Sequence, residues 1–129
     1  MKRPLRGREL SVFRHVADRG PVSVREVAEE LGAREGLART TILTVMERLR
    51  QKGYLKRRQS GGSYRYSPTI PKKEVIRSLV REFAERALGG SSQPFVAYLA
   101  EDAELDDAEV KQLTELVRTL EQRRRGRLR

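Results

Sequence analysis

Between residues 38 and 66, hydroxyl and guanidinium side chains recur first on one face of a helical segment and then on a short basic hairpin. Arg39, Thr40, Thr41, Thr44, Glu47 and Arg48 lie away from the apolar stripe that Ile42, Val45, Met46 and Leu49 make at helical spacing. Three threonines on one exposed face are poor chemistry for a solvated helix, because branched side chains crowd the preceding turn. They are good chemistry for close approach to a nucleic-acid groove. A short hydroxyl side chain reaches a phosphate or a base edge, its methyl meets a thymine methyl, and arginine takes phosphate or guanine. Arg57, Arg58 and Arg65 follow on the hairpin, where the flanking phosphates of a duplex would run. This order predicts a winged helix-turn-helix, with one helix in the major groove and a β-wing on the backbone beside it.

The remaining elements must hold that face in place. Leu10, Phe13, Val16 and Ala17 predict a helix over 8–18, stopped by Gly20-Pro21. Ser23 with Glu26 three residues later is a capping box, each side chain satisfying an orphan backbone N–H. It opens a second helix with the stripe Val24, Val27, Ala28 and Leu31, which Gly32 is expected to end. Residues 33–37 make the turn into a third helix over 38–52, which stops at Gly53. Strands Tyr54–Gln59 and Ser63–Ser67 flank the turn Ser60-Gly61-Gly62, and Tyr64 and Tyr66 are read as wing-packing residues. Pro71 opens a long helix that Gly89-Gly90 breaks. Ser91 or Ser92 caps a short helix, and Asp106 with Glu109 forms a second capping box before the last one. The arginine-rich end, Arg123–Arg129, is expected to fray. The fold class is mainly α: a winged helix-turn-helix of three helices and a short wing over residues 1–70, a three-helix dimerisation domain over 71–125, and a basic tail at 126–129.

Charge follows the same division. Residues 1–70 hold 16 Lys+Arg against 7 Asp+Glu, residues 71–129 hold 12 against 11, and residues 101–122 hold only 2 against 8. A basic first half points to double-stranded DNA, and the acidic stretch keeps the second half off it. The second half instead carries apolar stripes: Leu79 and Phe83, then Phe95, Val96 and Leu99, then Val110, Leu113, Leu116, Val117 and Leu120. Two copies that bury those stripes together form a homodimer whose reading helices lie about 34–36 Å apart, or a multiple of it. With no cysteine and one histidine, His15, read as a packing residue, neither a disulfide, a metal site nor a cofactor is expected. No Gly-rich phosphate loop or paired carboxylates point to catalysis, so an enzyme is not expected, and no small-molecule ligand is inferred. No apolar run reaches the roughly 18–20 residues of a membrane span, and the N-terminus lacks a signal core, so the protein is read as cytoplasmic. Two other readings remain at this point: a non-specific architectural DNA-binding protein, and a winged-helix protein-interaction adaptor. Operator preference separates the first, and affinity for any duplex separates the second.

Taken jointly, several short motifs resemble the penicillinase-repressor family of winged-helix transcriptional regulators. They are Val24-Arg25-Glu26-Val27, Thr40-Thr41-Ile42-Leu43-Thr44, Arg48-Leu49, Lys52-Gly53-Tyr54-Leu55 and Tyr64-Arg65-Tyr66-Ser67-Pro68, followed by Gly89-Gly90-Ser91 and Val96-Ala97. The resemblance implies a homodimeric repressor on palindromic operators that overlap promoters for resistance or stress genes. It also implies release when a membrane-bound sensor protease cuts the C-terminal domain. The family's Val-Ala-Asn-Phe cleavage segment aligns with Val96-Ala97-Tyr98-Leu99, so the bond maps to Tyr98–Leu99 with Asn-Phe absent. Arg39 stands where many relatives carry an aromatic residue before the threonine pair. The lack of cysteine sets the chain apart from the copper-responsive branch of the family.

Overall fold

A computed structural model describes residues 5–127, in two compact units that meet at Gly89 and Gly90. In the first unit, α1 (Gly7–Arg19) buries Val12, Phe13, His15 and Val16. Next comes α2 (Val24–Val27), which passes through a π-helical turn (Ala28–Gly32) into α3 (Ala33–Glu35). The helical run therefore does not stop at Gly32. That residue keeps helical angles, φ −58° and ψ −45°, and its missing Cβ lets the Leu37 carbonyl approach, since a Cβ would stand 2.8 Å from that oxygen. The run ends at Gly36, in the left-handed region at φ +70°. The Leu37 N–H then reaches back to the Gly32 carbonyl at 2.8 Å, the closing bond of a Schellman motif.

At its start the run also departs from the expected capping box. Ser23 Oγ accepts from the Glu26 N–H at 3.1 Å, as expected. The Glu26 carboxylate does not return the bond and pairs with Arg65 on the wing at 3.0 Å.

The helix α4 (Arg39–Gln51) buries Ile42, Val45, Met46 and Leu49, the stripe read from spacing. Strands β1 (Leu55–Ser60) and β2 (Ser63–Pro68) pair antiparallel, with Ser60 opposite Ser63, so the loop is only Gly61-Gly62. Both glycines have positive φ, the geometry a two-residue hairpin requires. Val22 adds a bridge to Tyr66 through paired backbone bonds of 3.0 and 2.7 Å. One core joins these elements, from Leu5 and Phe13 through Leu31, Met46 and Leu49 to Tyr54, Leu55 and Tyr66. Phe13 meets Tyr54 edge-on at 5.9 Å.

The helix α5 (Lys72–Ala87) belongs to this first unit, not to the second as the boundary at residue 70 supposed. Its Val75 is buried in the common core, Leu79 packs against that core, and Lys72 pairs with Asp18 of α1 at 2.6 Å. Further along, Val80 and Phe83 are exposed.

In the second unit, α6 (Gln93–Ala97) continues as a π-helical turn (Tyr98–Asp102), and α7 (Asp107–Arg127) follows. The capping box before α7 closes in both directions: Asp106 Oδ1 accepts from the Glu109 N–H at 2.8 Å, and Glu109 Oε1 accepts from the Asp106 N–H at 3.2 Å. Neither helix has a buried residue. Of the arginine-rich end expected to fray, the residues through Arg127 are helical within α7; the last two residues of the 126–129 tail lie outside the described residues.

Candidate nucleic-acid interface

The outward face of α4 is built by subtraction. Four apolar side chains fix the helix on the core, so Arg39, Thr40, Leu43, Thr44 and Arg48 must face solvent, and Thr41 is half-buried. No side chain caps the start of α4 at Ala38, which leaves the first-turn N–H groups open to an anion. Thr40, Thr41, Thr44 and Arg48 line one shallow groove of about 380 Å³ together with Arg8 and Glu9 of α1. Thr44 Oγ1 donates to the Thr40 carbonyl at 3.0 Å, so its hydroxyl hydrogen is spent within the helix and its oxygen keeps only acceptor capacity.

The wing is fastened to α4 by a residue that periodicity alone left among the outward ones. Glu47 accepts from the Tyr66 hydroxyl at 2.6 Å and pairs with Arg50 at 2.9 Å and Arg57 at 3.0 Å. The Arg50 hydrogen bonds, then the Tyr66 hydroxyl and the nearby guanidinium charges, hold its carboxyl down at about 2 against the opposing cost of partial burial. Tyr66 moves the other way: burial pushes its phenol up, and the bond to the Glu47 carboxylate adds to that.

The three wing arginines therefore divide. Arg57 turns inward to Glu47 and lies over the Tyr64 ring, 4.0 Å from its centroid. Arg65 pairs with Glu26 at 3.0 Å and donates to the Pro21 carbonyl at 3.4 Å. Arg58 stands opposite Arg65 in the register, is exposed, and has no ion pair among the described residues. It shares the outer face of the wing with Lys56, in a groove of about 450 Å³ that Arg57, Arg65, Ser60 and Ser67 also line. Tyr66 is buried and packs the wing as read, whereas Tyr64 is exposed with its ring against Arg57.

A further groove of about 520 Å³ joins the start of α2 (Ser23 and Arg25), Arg39 of α4 and the wing residues Ser63, Tyr64 and Arg65. Arg39 thus sits beside the wing, and Thr41 and Arg48 sit beside α1. Sequence reasoning missed three residues on this surface, Arg8, Leu43 and Lys56, and placed Glu47 outward without its role as the wing's anchor. Leu43 carried a signal, as an apolar residue off the apolar stripe of α4. Glu47 carried another, as the single acid among the hydroxyls and guanidiniums.

The stripes assigned to dimerisation are exposed in large part. Phe83, Val96, Leu99, Val110, Leu116, Val117 and Leu120 are all exposed, Phe95 and Leu113 are half-buried, and Leu79 leans on the first unit's core. Among the described residues no cluster of His, Asp or Glu could hold a metal ion, and no helix is long and apolar enough to cross a membrane.

The penicillinase repressor family profile matches residues 6–119. The transcriptional regulator BlaI of Mycobacterium tuberculosis is 33% identical over 103 residues, covering 78% of this chain and 75% of that one. The penicillinase repressor of Staphylococcus aureus is 26% identical over 109 residues, covering 84% of this chain and 86% of that one. Among solved structures, a MarR family protein from Bacillus stearothermophilus superposes with a TM-score of 0.54 over 94% of this chain and 76% of that one. At 16% identity this likeness speaks for the fold alone.

Proposed function

This chain belongs to the penicillinase repressor family, and from that premise we propose that it is a homodimeric repressor that occupies palindromic operator DNA. The observation that carries the reading is the outward ridge of α4, where Thr40, Thr41, Thr44 and Arg48 line one groove beside an uncapped helix start. Each protomer inserts this ridge into a major groove, with its N-terminal turns nearest the base edges. Arg39 reaches the backbone between α4 and the wing, and Arg58 with Lys56 supplies phosphate contacts from the wing's outer face. Arg57 and Arg65 act at one remove. Through Glu47 and Glu26 they hold the wing against α4 and α2.

The exposed apolar stripes of the second unit favour pairing with a second copy, because water-exposed Leu and Val in such number are costly for a monomer. Engagement of both halves makes the second contact effectively intramolecular, so occupancy depends steeply on the dimer. Release follows if a membrane-bound sensor protease cuts Tyr98–Leu99, since that separates Val110, Leu113, Leu116, Val117 and Leu120 from the DNA-binding unit. Both residues flanking that bond are exposed. A protease must first open the π-helical turn, which the Ala103 N–H closes onto the Tyr98 carbonyl at 2.8 Å.

The test is selection of bound fragments from genomic DNA, followed by fluorescence titration in increasing salt. An enriched inverted repeat is expected. With about 6–10 phosphate contacts, its affinity should fall about 10³–10⁵-fold between ~50 and ~200 mM salt. Equal binding to random duplex would identify an architectural DNA binder instead, and no duplex binding at all would leave the adaptor.

A further inference from the structure

The helix α7 has a polarity that its apolar stripe alone does not require. Leu113, Leu116 and Leu120 occupy alternating three- and four-residue steps at its centre. The same stepping continues backward to Glu109 and Asp106 and forward to Arg123 and Arg127. Val110, Val117 and Arg124 run alongside at seven-residue spacing. One face of a 21-residue helix therefore reads acid, leucine, arginine from end to end. Leu116 and Leu120 are 48% and 47% exposed, so this face lacks the cover that its leucines call for. No ion pair engages Arg123, Arg124 or Arg127 among the described residues. The capping box uses one carboxylate oxygen each of Asp106 and Glu109, leaving the other free to accept.

We infer that α7 pairs antiparallel with α7 of a second copy, each acidic head lying on the other's arginine tail. This rests on the homodimer reading above and specifies its geometry. A parallel seam would set Asp106 and Glu109 against their own copies and the arginines against theirs, repulsive at both ends. The antiparallel seam lays leucine on leucine at its centre and opposite charges at both ends, as one twofold axis through the middle of the helix requires. The leucines provide the burial, and the terminal charges choose the direction and penalise the wrong one.

The experiment is sedimentation equilibrium of the full chain at low salt, with operator titration alongside. Reversing the head (Asp106→Lys with Glu109→Lys), or the tail (Arg124→Glu with Arg127→Glu), is expected to weaken the homodimer about tenfold or more, because each reversal acts at both symmetric ends. Reversing head and tail together is expected to restore it. Loss of the capping bonds between Asp106 and Glu109 cannot mimic that rescue, since tail substitutions do not repair a cap. Single reversals that leave the dimer as tight as the native chain's, or a fourfold variant that stays weak, would overturn the antiparallel seam. If the native dimer still binds its inverted repeat in that case, the repressor reading stands. A native chain that is monomeric at all concentrations would remove both.

Discussion

The two units of this chain manage their apolar side chains in opposite ways. The first places Phe13, Leu31, Ile42, Met46 and Leu49 in a shared core at 0–1% exposure. The second leaves Val96, Val110, Leu116, Val117 and Leu120 about half exposed, on helices with no buried residue. Both follow the same three- and four-residue periodicity. The difference teaches that periodicity identifies a face to be covered without saying what covers it. In the first unit the cover comes from the same chain. In the second no residue of α6 or α7 is buried, and in the proposed dimer the cover would come from the second copy, so what the two units lose on truncation should differ in kind.

The largest expected effect tests that contrast directly. Phe13→Ala should cost about 3–5 kcal/mol in urea unfolding, because its fully buried ring leaves a cavity. Leu116→Ala should leave unfolding of the first unit unchanged and weaken dimer assembly in sedimentation. A stability loss in the first unit as large as that of Phe13→Ala would show that Leu116 is covered within its own chain.

Next comes the link between wing and helix. Glu47→Gln should cost about 1.5–3 kcal/mol at neutral pH, since two guanidiniums and a buried phenol lose their charged acceptor. The folded-state carboxyl titrates near 2, below its ordinary 4.5, so between those values the unfolded chain binds more protons. The stability it adds is therefore complete above about pH 4.5 and is lost as pH falls through about 2. The difference between native and Glu47→Gln proteins should shrink along that acid limb, and a constant difference would deny the ionic role.

Smaller effects separate reading from holding. Thr41→Ala with Thr44→Ala should lower operator-to-random discrimination by about 1–3 kcal/mol per lost base contact while helix stability holds or rises. Unchanged discrimination would remove these threonines from base reading. Arg58→Ala should weaken binding uniformly across sequences and reduce the salt slope by about 1. Arg57→Ala should loosen the wing with a smaller change in slope, because its guanidinium is already paired with Glu47. Equal slope changes for both would contradict that division.

Most of the element order was legible in the sequence, because stripes, caps and glycine turns are local signals. The stripe of α4 and the capping box at Asp106 came out as read. Gly32 misled because a glycine after an apolar stripe usually ends a helix, whereas here it makes room for the Leu37 carbonyl and Gly36 does the ending. The ion pairs of Arg57 and Arg65 were not legible, because their acidic partners, Glu47 and Glu26, lie on other elements, and no spacing rule brings them together. The boundary at residue 70 failed for a similar reason. Proline marks where α5 begins, but Val75 and Leu79 show that its first turns complete the core behind the wing.

The internal bond of Thr44 carries one more consequence. A hydroxyl that has already given its hydrogen to the Thr40 carbonyl can offer an incoming base only lone pairs and a methyl group. In the major groove, adenine N6 and cytosine N4 present amino hydrogens, guanine presents acceptors, and thymine presents an acceptor beside a methyl. In the proposed complex the operator position facing Thr44 should thus favour adenine or cytosine by hydrogen bonding, tolerate thymine through methyl contact, and reject guanine.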